Sequence, residues 1–204
     1  MKLPFPALSR KRLAGTELFT MKGRKTGINV ADFWAWSVSD LMSNATRGRL
    51  AEFIVAKAMG ISTDGVRDEW AAYDLITENG IKIEVKSAAF LQTWAQRRAS
   101  TISFSIRPAR AWEPETNRLA EKPERLTDVY VFALLAHMDK STIDPTNLDQ
   151  WEFYVMSTRD ICARKRSQHS IALNSLKILK AGPYSFRELK NAVLVVVEST
   201  KSHG

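Results

Sequence analysis

The chain has 204 residues, is 45% hydrophobic and 25% charged, and carries a formal net charge of +8, which suits one globular domain with extensions and excludes disorder throughout. The basic balance favours a polyanionic partner, although an anionic membrane surface or plain solubility produces the same sign. A lone cysteine, Cys162, rules out an internal disulfide and a cysteine-based zinc site, while an N-terminal apolar run broken by Pro4 and Pro6, with no later window able to span a bilayer, points to a cytoplasmic protein without a membrane partner.

Residues from Met1 to about Ile28 are rich in Lys and Arg, with Glu17 as the single acid, and read as a basic arm that either contacts phosphates or is simply solvated. Asn29 followed by Asp32 is a capping pattern, and Val30, Phe33, Trp34, Val38 and Leu41 continue it at helical spacing. Trp34 and Trp36 suit stacking on nucleobases, but aromatics at that spacing are expected to pack into a core. Ser43 and Asn44 then open a second helix closed by Gly60, with Leu50, Phe53, Ile54, Ala58 and Met59 as its apolar stripe. Glu52 lies in its middle. Taken alone, Glu52 reads as a solvent-facing glutamate.

The segment from Ile61 to Ala72 is a loop containing Asp64, Asp68 and Glu69, and it leads into YDLITENGIKIEVKS, Tyr73 to Ser87. Two alternating runs around Asn79-Gly80 predict a β-hairpin. Register is decisive, because a slip of one residue moves every side chain to the other face. A two-residue loop pairs Leu75 with Glu84 and parts the charged groups. A three-residue loop, Glu78-Asn79-Gly80 with Gly80 left-handed, pairs Thr77 with Ile81, Leu75 with Ile83 and Asp74 with Glu84. The second register is preferred, since it buries Tyr73, Leu75, Ile81, Ile83 and Val85 together and gathers Asp74, Glu84 and Lys86 opposite them. Neighbouring carboxylates repel and call for a cation, and two carboxylates with a backbone carbonyl and waters suit Mg²⁺. Lys86 beside them can hold a water and stabilise charge growing on a phosphate. Asp68 is an alternative ligand.

Beyond the hairpin, Ile102 to Ile106 alternates as a third strand, and Arg110 to Arg125 is Pro-rich and charged, a loop carrying Trp112. Leu126 to Ala136 is a buried central strand by its continuous apolar run, and Trp151 to Met156 alternates as another. Ser157 or Thr158 caps a helix to about Lys165, followed by the basic run Arg164, Lys165 and Arg166. SIALNSLKIL supplies a short extended piece and a turn, and Ser185 with Glu188 starts a C-terminal helix through Val197. The expected division is 1–43, a basic arm and N-terminal helix; 44–198, the main domain; and 199–204, a disordered tail.

This order of a helix with a central glutamate, a strand with Asp, a turn, a strand with Glu-x-Lys and later strands resembles the core of the PD-(D/E)XK nuclease superfamily. The motif in this chain is Asp74 followed by Glu84-Val85-Lys86, with Tyr73 where the family's proline would stand. The helix RGRLAEFIVAKAMG resembles the first helix of relatives such as Holliday-junction resolvases, which assigns Glu52 a place at the metal. The resemblance covers roughly Asn44 to Ser157. It implies a restriction-endonuclease-like fold, an α/β architecture with a central mixed β-sheet flanked by helices. It also implies Mg²⁺-dependent hydrolysis of DNA, with Mn²⁺ as a substitute and endonuclease action favoured over exonuclease. Asp74, Glu84, the Val85 carbonyl and Glu52 would bind the metal, and Lys86 would assist the attacking water. A homodimer is compatible with this reading. The competing reading is a non-catalytic module that keeps the fold and binds nucleic acid or a protein partner.

Overall fold

The computed structural model describes residues 4–5, 7–113 and 116–201. The basic N-terminal stretch is not a featureless arm. Leu18–Met21 (β1) and Arg24–Asn29 (β2) pair antiparallel through a turn at Lys22 and Gly23, whose φ angles are 50° and 75°. Two successive left-handed residues match the right-handed twist of the strands they join. Lysine at the first of them conceals the signal that Asn or Gly would give. Residues 1–3 and 6 of the expected arm lie outside the described residues.

Asn29 caps α1 (Val30–Val38), with the reciprocal Asn29 and Asp32 bonds of a capping box. The tryptophan side of α1 does not reach a core. Trp36 is 85% exposed and Trp34 39% exposed, and α1 has no buried residue, Trp34 lying beside Gly15 of the segment before β1. Ser43 caps α2 (Asn44–Met59), which Gly60 ends in the left-handed conformation.

The main sheet has four strands in the order β3 (Leu75–Ile76), β4 (Lys82–Ala89), β8 (Val129–Leu135) and β9 (Trp151–Ser157). β4 and β8 run parallel and the outer pairs antiparallel, so the sheet is mixed. Every residue of β8 is buried, as its unbroken apolar run requires of a strand covered on both faces. On one face Ala51, Ile54, Val55 and Met59 of α2 pack on Ile83, Val85 and Val131, joined by Leu189, Val193 and Val197 of α5 (Leu189–Lys201). On the other, Phe104, Tyr130, Phe132, Ile161, Ile171 and Leu176 form a second core.

Between β4 and β8 the chain departs from the expected order. Ser103–Ser105 (β5) is a strand, but it pairs with β10 (Ser170–Ala172) outside the main sheet. Residues expected as a loop form a small hairpin of β6 (Trp112–Glu113) and β7 (Arg118–Leu119), extended by a bridge between Ala109 and Glu124. Helix α3 (Thr158–Ala163), capped by Ser157, stops before the basic run, where Arg164 leaves helical geometry. After β10, α4 (Leu173–Ile178) is helical where a turn was expected. Helix α5 continues past Val197 to Lys201, its Thr200 hydroxyl donating to the Val196 carbonyl at 2.7 Å. Residues 202–204 of the expected tail lie outside the described residues. Among those described, no helix is long and apolar enough to cross a membrane.

A carboxylate cluster at the open edge of β4

Gly80 has φ of 79°, Thr77 N donates to Ile81 O at 3.0 Å, and Leu75 pairs with Ile83. The three-residue loop therefore sets the register at these positions, but the pairing ends at Leu75 and Ile83, and the expected Asp74–Glu84 pair is not among the cross-strand pairs. Asp74 N donates to Ile83 O at 3.2 Å, and past that bond β3 leaves the sheet. The next N–H on this edge of β4, that of Val85, is taken by Asp74 Oδ2 at 2.7 Å. A strand residue presents its N–H and C=O to the same side, so the Val85 carbonyl belongs to the same edge. Asp74 is thus held by backbone at both its amide and its carboxylate.

Glu84 and Lys86 project from β4 on the face opposite Ile83 and Val85, beside Tyr130, and the Lys86 ammonium donates to Glu84 Oε1. Glu52 comes from the other side, off the middle of α2. Arg67 joins it to the edge: its guanidinium grips the Glu52 carboxylate with two N–H groups, one at 2.7 Å, and lies 3.8 Å from Asp74 Oδ1. The structure thus brings Asp74, Glu84, Lys86 and Glu52 around one strand edge. Asp68, next to Arg67, lines a cavity with Glu52 and Asp74, and its carboxylate accepts from Arg10 at 2.5 Å and from the Trp70 amide at 2.9 Å.

The cluster carries three carboxylates against two cations, and its electrostatics show the deficit. Desolvation is the first cause that pushes the Glu84 carboxyl above its ordinary value, with the charges of Asp74 and Glu52 adding to it, and the charge and hydrogen bond of Lys86 oppose the shift without reversing it. Glu52 is raised for the same first reason, desolvation, with Asp74 adding to it despite Arg67. Lys86 loses most to desolvation, but the combined attraction of Glu84 and Asp74 overcomes that loss and keeps it firmly protonated. A lysine so held cannot be a ligand.

Carboxylate oxygens and a backbone carbonyl are the donors that hard divalent cations prefer, and a further positive charge would relieve the raised carboxyls. The donors are therefore of the chemical type that Mg²⁺ takes. Among the described residues no three acidic, histidine or cysteine side chains already form a cluster that could hold a metal; Arg67 lies between the Glu52 and Asp74 carboxylates, and the Lys86 ammonium is on Glu84. Arg67 is the residue that sequence reasoning missed. It sits in the aperiodic Ile61 to Ala72 loop among acidic neighbours, where no pattern marks it, and only the packing of that loop against α2 identifies its partners.

The family model of bacteriophage T4 endonuclease IV matches residues 11–175, about four-fifths of the chain and all of the cluster. No curated protein and no solved structure matches the chain.

Proposed function

The chain belongs to the bacteriophage T4 endonuclease IV family, and from that premise we propose that it is a DNA endonuclease of the PD-(D/E)XK type that works with Mg²⁺ or Mn²⁺. The observation that carries this reading is the meeting of Asp74, Glu84 and Lys86 with Glu52 at one uncovered strand edge. Asp74, Glu84, the Val85 carbonyl and Glu52 would hold the cation. When bound, it supplies Lewis-acid activation of a water and neutralises charge at the scissile phosphate.

The chain's own groups have separate tasks in this reading. The bond from Val85 N fixes Asp74 Oδ2, leaving its second oxygen to face the site. Glu84 aims the Lys86 ammonium, which positions the attacking water and stabilises the added negative charge as the phosphate becomes five-coordinate. The basic surface implied by a net charge of +8 would draw the polyanionic substrate in.

One assay tests the proposal. Linear, nicked, branched and single-stranded DNA are incubated with the protein and Mg²⁺ or Mn²⁺, alongside calorimetric titration of each metal. Internal cleavage that needs the metal is expected. Metal binding with release only from DNA ends would make it an exonuclease, and neither binding nor cleavage would leave the non-catalytic module as the reading.

A further inference from the structure

A cleft of about 530 Å³ opens beside the cluster, with Asp74 and Glu84 in its lining, and hydrolysis as described makes no use of its far wall. That wall comes from the β6–β7 hairpin, chiefly Trp112, Asn117 and Leu119, and meets Trp70 from the loop before β3. The two indoles touch, their centroids 5.4 Å apart and their planes inclined at 54°. Trp112 Nε1 donates to Asn117 Oδ1 at 3.2 Å, which fixes the ring's orientation. Trp70 is 65% exposed and Leu119 60%.

This is costly surface to leave in water, and its chemistry is mixed. Flat aromatic faces stand beside the charged or hydrogen-bonding groups of Glu69, Arg110, Asn117 and Glu124. A purely apolar guest would strand those groups, and a purely polar one would waste the indoles. A flat heteroaromatic ring with a hydrogen-bonding rim satisfies both. The volume lies within the range of about 300–1,000 Å³ usual for sites that enclose small ligands.

We propose that this cleft is a nucleobase subsite, in which the base adjoining the scissile phosphate packs against Trp112 and Trp70 while its phosphate stays at the carboxylate edge. The proposal rests on the nuclease reading for the position of that phosphate. Holding the base fixes the strand's path past Lys86, so the subsite contributes to where the chain is cut as well as to affinity. The base can come from a single strand or be turned out of a duplex.

Binding is measured separately from cleavage to test this. Fluorescent oligonucleotides carrying one abasic site at successive positions, single-stranded and duplex, are titrated by anisotropy in Ca²⁺ against wild type, Trp112→Ala, Trp112→Phe and Trp70→Ala. At one position, loss of the base should weaken wild-type binding by about 5- to 150-fold, the range typical of one base stacked on an aromatic side chain. Trp112→Ala should bind the intact oligonucleotide correspondingly less well and lose nothing more from that abasic site, whereas Trp112→Phe keeps the dependence. Thermal melts show whether each variant folds, and Trp70→Ala repeats the cycle from the other wall. Equal abasic penalties in wild type and both alanine variants would overturn the subsite, as would the absence of any sensitive position or of DNA binding. Cleavage of the intact oligonucleotide in Mg²⁺ tests the nuclease reading alone: coupling without cutting preserves the subsite, and cutting without coupling removes only the subsite. Which strand form shows the coupling identifies the source of the base.

Discussion

Two cation–carboxylate pairs make up the cluster, and they are built in opposite ways. Glu84 and Lys86 sit two residues apart on β4, a strand paired with β8 from Ile83 to Ala89. Strand alternation places them on one face, and the sheet keeps them there. Glu52 and Arg67 are 15 residues apart, one on a helix and the other on the loop that follows it, and their side chains meet each other and the nearby Asp74 across that gap. The first pair is scaffold. In the second, Arg67 takes up the Glu52 oxygens that the proposed metal would use, so on that proposal a bound cation would compete with it.

Breaking the scaffolded pair should have the largest effect. Lys86→Ala removes a positive charge beside the metal position, so Mg²⁺ affinity should stay equal or rise, while cleavage falls by about 10² or more because the group that positions water and stabilises charge is gone. DNA affinity should hold, with the salt slope changed by at most about one phosphate. Wild-type turnover in this variant would remove Lys86 from the mechanism.

Breaking the exchangeable pair should act in opposite directions according to which partner is lost. Glu52→Gln should weaken metal binding about tenfold or more without unfolding the protein, as expected on neutralising a ligating carboxylate with a near-isostere. Arg67→Ala should bind metal more tightly, because no guanidinium competes. Without metal, Arg67→Ala should melt about 2–4 °C lower, corresponding to about 1 kcal/mol for a pair that is only partly shielded from water. Calorimetry and thermal melts read both. Equal metal affinity in wild type and Arg67→Ala would show that Arg67 does not occupy the ligand position.

The smallest effect is in pH. Glu52 and Glu84 have folded-state carboxyls raised above their unfolded values, so they contribute stability at acid pH that is lost as pH rises through the folded values. A bound cation favours the ionised forms and offsets that loss. The rise in melting temperature on adding Mg²⁺ should therefore be largest at pH 7 and shrink on acidification toward the raised carboxyl range, as protons displace the metal. An Mg²⁺ shift unchanged between pH 7 and pH 4 would indicate binding elsewhere.

The same contrast explains which parts of the molecule were legible beforehand. The turn at Gly80, the alternation of Ile83 and Val85 against Glu84 and Lys86, the caps at Asn29, Ser43 and Gly60, and the buried run of β8 all act between residues close in the chain. The misjudged tryptophans of α1 show the limit. Helical spacing says that Phe33, Trp34 and the residues near them share a surface, but it cannot say whether anything covers it, and here no residue of α1 is buried. Nor could composition reveal that the charged stretch from Arg110 to Arg125 folds back as β6 and β7 to bring Trp112 against Trp70.

What the amino-acid order determined by itself was therefore the hairpin, its register and the Asp74, Glu84 and Lys86 constellation, because turn chemistry and two-residue periodicity leave one low-energy pairing that buries the apolar face. Tertiary structure alone decided that α2 swings Glu52 to the open edge of β4, that Arg67 bridges it to Asp74, and that a hairpin from between β5 and β8 walls a cleft beside them. Those contacts join segments with no shared periodicity, and they exist because the two apolar faces of the sheet must each be covered, which fixes where the connecting loops pass and which of their side chains meet.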